Sequence, residues 1–294
     1  MKRLRLLASS FILIIAFGAA LYTQRVRLSD FARVWSQPAV PESVTYEQVI
    51  QEQEAPLPVE PQAEEPAQEP AVEETPPALE PDAEEPAETE PDPQLPAPSP
   101  QLPDEFNLAV PFTSQAPFAN WDDVHEETCE EASVYMVHLY YEGEPQGLVD
   151  PQTAEDELQK IVAFENSIFG FFEDTTSEQT AIFTEQLYGY TDIDIIENPT
   201  VEQIKENVSA GFPVIVPSAG QLLGNPYFTS PGPEYHMLVI RGYTKHQFIV
   251  NDPGTRRGEA YLYDIDTIMN AMHDWNGGGP ITEGRKAIIV IHPE

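Results

Sequence analysis

A chain of 294 residues with 30 prolines, and with 50 acidic against 14 basic side chains, has room for one or two domains, but its composition withdraws part of that length from folding. The net charge of -36 repels phosphate backbones and argues against nucleic acid as a partner. A single cysteine can form no internal disulfide, so a stapled secreted scaffold is excluded and the thiol must be packing, an intermolecular link or chemistry.

At the N-terminus, Lys2, Arg3 and Arg5 precede an apolar run over 6–22. As a helix that run spans ~25 Å, slightly under the ~30 Å hydrocarbon core of a bilayer. Residues 1–27 therefore read as a signal anchor, or as a signal peptide cleaved near Gly18, Ala19 and Ala20. Arg25, Arg27 and Arg33 follow the run and weaken the charge asymmetry that would set its orientation. An uncleaved anchor is preferred, giving a single-pass protein of the cell membrane with its C-terminal part extracytoplasmic; cleavage would give a secreted one.

Residues 28–103 read as a disordered acidic stalk rich in proline and glutamate. Over 34–103 there are 17 acidic side chains, no lysine or arginine, and 17 prolines, too little apolar surface to offset the entropy of ordering. Weak helical character is confined to 28–50. Proline stiffness and like-charge repulsion extend the rest to at most ~3.1 Å per residue, a reach on the order of 150 Å.

A globular domain over 104–294 follows. A short strand is expected at 108–112, then a loop, then a helix over 129–140 with Ala132, Tyr135, Met136, Leu139 and Tyr140 on one face and a capping box of Thr128 and Glu131. Further helices are expected over 154–164, over 178–187 after Ser177, and over 201–210 behind a capping box of Thr200 and Gln203. Strands are expected over 214–216, 237–241, 247–250, 260–263 and 287–291, with a short helix over 265–273 capped by Asp264. Helices first and strands afterwards, without regular alternation, give an α+β class with helices packed on an antiparallel sheet.

Cys129 opens the first of these helices, where unpaired N–H groups and the helix dipole favour a thiolate. Glu126, Glu127, Glu130 and Glu131 oppose that unless they face solvent. His236 starts one strand of an expected hairpin and Asp252 ends the other, so the two can meet. Together they offer a nucleophile, a base and a carboxylate to orient it, the logic of acyl transfer. Gln115 precedes the loop before the cysteine and, with the Cys129 N–H, could donate to an oxyanion. His125 is near Cys129 in sequence, whereas His138, His246 and His292 fit a base poorly. No histidine pair has helical ligand spacing, so no metal is expected.

These pieces resemble a known family. The run over 110–115 ending in Gln115, Cys129 followed by Ala132 and Ser133, the run over 235–243 containing His236, and Val250, Asn251, Asp252 and Pro253 look like the C39-like branch of papain-fold cysteine peptidases. The resemblance implies a papain-like fold over most of 108–292, with Cys129 as nucleophile, His236 as general base, Asp252 as orienting acid and Gln115 as oxyanion donor. Where many relatives place Gly-Pro after the cysteine, this chain has Glu130 and Glu131.

The expected activity is that of a membrane-tethered, extracytoplasmic cysteine peptidase or amide hydrolase working through a thioester on a peptide or protein, without a cofactor. Two alternatives are a catalytically silent surface module that binds peptide or cell-wall material in the same cleft, and acyl transfer to an amine. Trp121, Tyr227 and Phe228 are candidate cleft aromatics.

Overall fold

The structure, a computed structural model, describes residues 39–54 and 102–293. The expected N-terminal anchor and most of the stalk lie outside the described residues. Among the described residues, no helix is long and apolar enough to cross a membrane.

Part of the expected stalk is ordered against the domain. Helix α1 (Tyr46–Glu54) buries Val49, and Tyr46 meets the rings of Tyr140 and Tyr141 edge-on at 6.1 and 5.3 Å. Just before it, Val44 bridges to Leu108 in parallel. The apolar and aromatic side chains of 44–50 account for the docking, since the proline-rich repeat begins only beyond them.

The sheet contains β1 (Phe106–Asn107), β2 (Asp192–Glu197), β3 (Val214–Ala219), β4 (Tyr235–Tyr243), β5 (Gln247–Asn251), β6 (Tyr261–Asp264) and β7 (Ala287–His292). Its order is β2-β7-β3-β4-β5-β6, with β1 paired to the far end of β4, and every pairing is antiparallel. The helices are α2 (Cys129–Tyr141), α3 (Pro151–Ile168), α4 (Ser177–Tyr188), α5 (Val201–Ser209), α6 (Gly220–Leu223) and α7 (Ile265–Ala271). The result is the expected α+β arrangement of helices on an antiparallel sheet.

β3 and β4 are buried along their whole length, which explains why they read as continuous β-branched and aromatic runs. β2, absent from the sequence expectations, is an edge strand whose acidic side chains point outward while its isoleucines lean on β7. Charges of this kind protect an exposed edge and mask the strand signal. Near the strand expected at 108–112, Phe106 and Asn107 form the ladder with β4, and within it only isolated bridges occur, Leu108 to Val44 and Phe112 to Leu148. Beyond Asn107, backbone bonds from Leu108 N–H to Arg241 O, Ala109 N–H to Val44 O and Phe112 N–H to Gly147 O are joined by side-chain bonds: Arg241 Nη1 donates to Val110 O at 3.0 Å, and Asn251 Nδ2 to Val110 O and Pro111 O at 3.2 and 2.9 Å.

Two capping expectations differ in outcome. Thr200 and Gln203 form the reciprocal box at the start of α5. Thr128 and Glu131 do not at α2: Thr128 Oγ1 donates to Gln115 O at 3.1 Å, and Glu131 is buried against Glu165 of α3. α4 is boxed by Thr176 and Gln179, so it begins one residue earlier than expected. Nor is Asp264 a side-chain cap for α7.

Candidate functional site

α2 carries more than an apolar stripe. Residues 129–137 are all buried, Glu130 and Glu131 included, because α2 lies between the sheet and the helices α3 and α4. Its first residue, Cys129, is only 4 % exposed.

The sulfur has two neighbours. It accepts the Met237 N–H at 3.3 Å and lies 2.9 Å from Glu130 Oε2. Met237 directly follows His236, and covalent geometry then puts the His236 Cα no more than about 6 Å from the sulfur. Strand β4 thus brings its histidine to the mouth of α2.

His236 reaches Asp252 through Nε2, 2.8 Å from Oδ1, with both side chains buried. The β4–β5 register places Val239 opposite Asn251, so the residue opposite position 252 and His236 are two apart and share a face. Because Nε2 is taken by the carboxylate, Nδ1 is the ring nitrogen left to exchange a proton with a thiol.

Asp252 is heavily supported. Its Oδ2 accepts from Tyr263 Oη at 2.6 Å and Asn225 Nδ2 at 2.9 Å, and its Oδ1 also accepts the Gly254 N–H at 3.0 Å. Burial alone would raise its pKa. The charge and hydrogen bond of His236, with those from Tyr263 and Asn225, outweigh burial and hold it below the usual aspartate range. Asn225 and Tyr263 were not expected from sequence, since a lone asparagine in a loop and a strand tyrosine carry no pattern that pairs them with Asp252.

The imidazole is boxed in. Phe228 meets it edge-on at 5.4 Å and 80°. A Cβ at Gly254 would lie 2.9 and 3.0 Å from His236 Cε1 and Nε2, and one at Gly220 would meet Pro233 and the His236 Cβ. His236 is 1 % exposed, with Phe228 of the segment after α6 against its ring. Tyr227 instead stacks beneath Arg257 at 4.7 Å, and Trp121 is exposed.

Gln115 sits beside the start of α2: its N–H donates to Pro253 O and its carbonyl accepts from Thr128. Its amide donates to His125 O at 2.8 Å and Glu126 O at 3.0 Å, which uses both protons to brace the loop. Four of the other histidines are engaged elsewhere: His125 with Asp122 and Glu155, His138 with Tyr190 Oη, His273 with Gly284 O and His292 with Asp194.

The electrostatics run against the helix dipole. Burial pushes the Cys129 thiol well above its ordinary value, and the charge and hydrogen bond of Glu130 and the charge of Glu131 push the same way; the Met237 N–H opposes them. Burial likewise raises Glu130 and Glu131. Around them, Glu127 is raised to about 7 and Asp174 to about 6, both chiefly by burial and then by neighbouring carboxylates. Of the glutamates flanking the cysteine, Glu130 and Glu131 point into the protein, Glu127 is half-buried and Glu126 is exposed. Among the described residues no cluster could hold a metal ion.

The Peptidase_C39 like family matches residues 107–280, a span that contains Gln115, Cys129, His236 and Asp252. A crystal structure from Bacillus anthracis, described as a candidate C39-like peptidase, is 16 % identical; the match covers 65 % of this chain and 99 % of that one, with a TM-score of 0.44. No curated protein matches. With more than half of its length matched, this chain is a member of the Peptidase_C39 like family, with the papain-like fold expected of it.

Proposed function

We propose that the protein is a cysteine peptidase in which Cys129 is the nucleophile, His236 the general base and Asp252 the group that orients it. The observation that carries this reading is the 2.8 Å contact between His236 and Asp252, made one residue before the Met237 N–H that holds the Cys129 sulfur.

His236 Nδ1 takes the thiol proton, and the sulfur attacks the scissile carbonyl. The imidazolium, steadied by Asp252, then protonates the leaving amine and a thioester remains. Water, deprotonated by the same imidazole, hydrolyses it. The Cys129 N–H, which has no intrahelical acceptor at the first helical position, donates to the oxyanion. Gln115 is the second donor in this reading, and it serves by exchanging one of its two loop carbonyls for the oxyanion. Family membership implies a peptide or protein substrate. With His236 buried against Phe228, substrate entry requires the segment that carries Phe228 to move.

The apolar run over 6–22 and the acidic, proline-rich segment after it support a display of the domain outside the cell membrane, on a tether. The ordered part of that segment, α1, ends its reach at the domain surface.

A second reading is favoured by one observation, the Glu130 carboxyl against a nearly sealed sulfur: a silent module that binds peptide or cell-wall material in the same cleft. Incubating the full chain with a mixed peptide library separates the two. Peptidase action gives new peptide termini that disappear in Cys129→Ala and in His236→Ala, the latter by about 10²–10⁴-fold in rate. Intact peptides, or cleavage that survives in Cys129→Ala, would leave the binding module.

A further inference from the structure

Glu130 occupies an unusual position for the neighbour of a nucleophile. Its Oε2 is 2.9 Å from the Cys129 sulfur and its Oε1 accepts the Thr175 N–H at 3.0 Å, so both oxygens are committed inside the protein. The side chain is buried, and the titratable groups around it are acidic apart from one imidazole. These are Cys129 and Glu131 on α2, Glu165 on α3, Asp174 in the loop before α4, and the Tyr235 phenol on β4, with His236 the next residue along. The phenol itself donates to Thr175 O and Asp274. No lysine or arginine is among these groups.

A thiolate and a carboxylate 2.9 Å apart in such a place repel each other strongly, with no lysine or arginine to relieve them and only the imidazolium of His236 to balance one negative charge. Only one negative charge is tolerated across the pair. If the carboxyl is ionised, the sulfur keeps its proton and donates it to Oε2. If the carboxyl is neutral, its O–H can donate to a thiolate, while the thiol proton passes to His236 Nδ1. The Thr175 N–H fixes the carboxyl in place for either state.

We propose that Glu130 is a positioning residue for the nucleophile: it holds a proton against the sulfur, so that the thiolate forms while this carboxyl is neutral and is extinguished when it ionises. The peptidase would then be an enzyme whose activity is lost on the alkaline side through Glu130. Burial of Glu130, which raises its pKa well above the ordinary glutamate value, extends the working range upward from the acid side. This inference rests on the peptidase reading, because it assigns Glu130 a role only if Cys129 is a nucleophile. It also gives the departure from Gly-Pro after the cysteine a chemical purpose.

The test is the ultraviolet absorbance of the Cys129 thiolate, followed against pH in the full chain, with Cys129→Ala as the blank. Glu130→Gln keeps the shape, cannot ionise and still offers an N–H to the sulfur. The expected result is a thiolate midpoint lowered by about one pH unit or more, a tenfold gain in acidity, with the alkaline loss of peptide cleavage shifted or abolished. Glu130→Ala, lacking the donor, lowers the midpoint less than Glu130→Gln. Circular dichroism confirms that each variant is folded, and a folded Glu130→Gln whose midpoint and pH profile equal the wild type overturns the proposal. His236→Ala keeps the two readings apart. If its thiolate titrates like the wild type, the peptidase reading itself fails; if it loses the thiolate while Glu130→Gln changes nothing, only the role of Glu130 fails.

Discussion

At the residue scale, the account turns on how tightly the imidazole is held. Asp252 fixes one ring nitrogen, and Tyr263, Asn225 and the Gly254 N–H fix Asp252. Gly254 has a further part, since a methyl group there would fall 2.8 Å from Phe228 and within 3.0 Å of the His236 ring. Gly254→Ala is therefore expected to push the ring off its proton-transfer line and to lower kcat/KM on the order of 10²-fold. Melting should show the variant still folded; unchanged kcat/KM would mean that the ring is not positioned from this side. From sequence alone, the meeting of His236 with Asp252 and the place of Cys129 at a helix start were legible because each stands at the end of an element. The groups that tune them were not, because Asn225, Tyr263 and Gly254 meet Asp252 and His236 only through the folded chain. The orientation of Glu130 and Glu131 was equally hidden: both were noted beside the cysteine, but whether they faced solvent depends on what packs over α2.

At the element scale, α2 and α3 share a pair of buried carboxyls, Glu131 and Glu165, neither of which meets any other hydrogen-bond donor. Two carboxylates cannot share such a place, so at least one keeps a proton in the folded state. Burial raises both, Glu165 to about 8. The folded protein thus binds a proton that the unfolded chain has lost, and this contribution to stability is present at acid pH and disappears as pH rises from the ordinary glutamate value to about 8. Urea unfolding at several pH values should show stability falling across that window, by on the order of 1 kcal/mol per pH unit. Glu165→Gln, which cannot ionise and gives Glu131 an amide donor, should flatten the slope. An equally steep loss in Glu165→Gln would mean that the pair does not hold the proton. This pairing also explains why the expected capping box at α2 did not form, as Glu131 turns inward to Glu165 and away from the Thr128 backbone. The α5 box formed because Gln203 has no such competing partner and stays at the surface.

At the scale of the whole molecule, the antiparallel sheet carries His236 and, at the end of β5, Asp252, and α2 carries Cys129, the proposed nucleophile. β4 is the central organiser: it pairs with β3 and β5, takes β1 at its far end, and carries both His236 and the N–H that touches the sulfur. The order of helices and strands made this architecture legible in sequence, except where acidic side chains disguised β2 and where isolated bridges and the side chains of Arg241 and Asn251, in place of a continuous ladder, held the chain leading to Gln115. The boundary of the domain was less legible. Apolar residues within the expected stalk pack α1 onto the rings of α2, a contact that local composition, dominated by the acidic repeat beyond, gave no reason to expect.

The most direct measurement is labelling of the full chain by iodoacetamide near neutral pH, with the site read by mass spectrometry and a urea-unfolded sample as the control for total thiol. The account predicts one label, on Cys129, in the folded wild type, and its loss in folded His236→Ala. A folded wild-type thiol that stays unlabelled, or one that labels as fast without His236, would contradict the claim that β4 delivers a base to the first residue of α2.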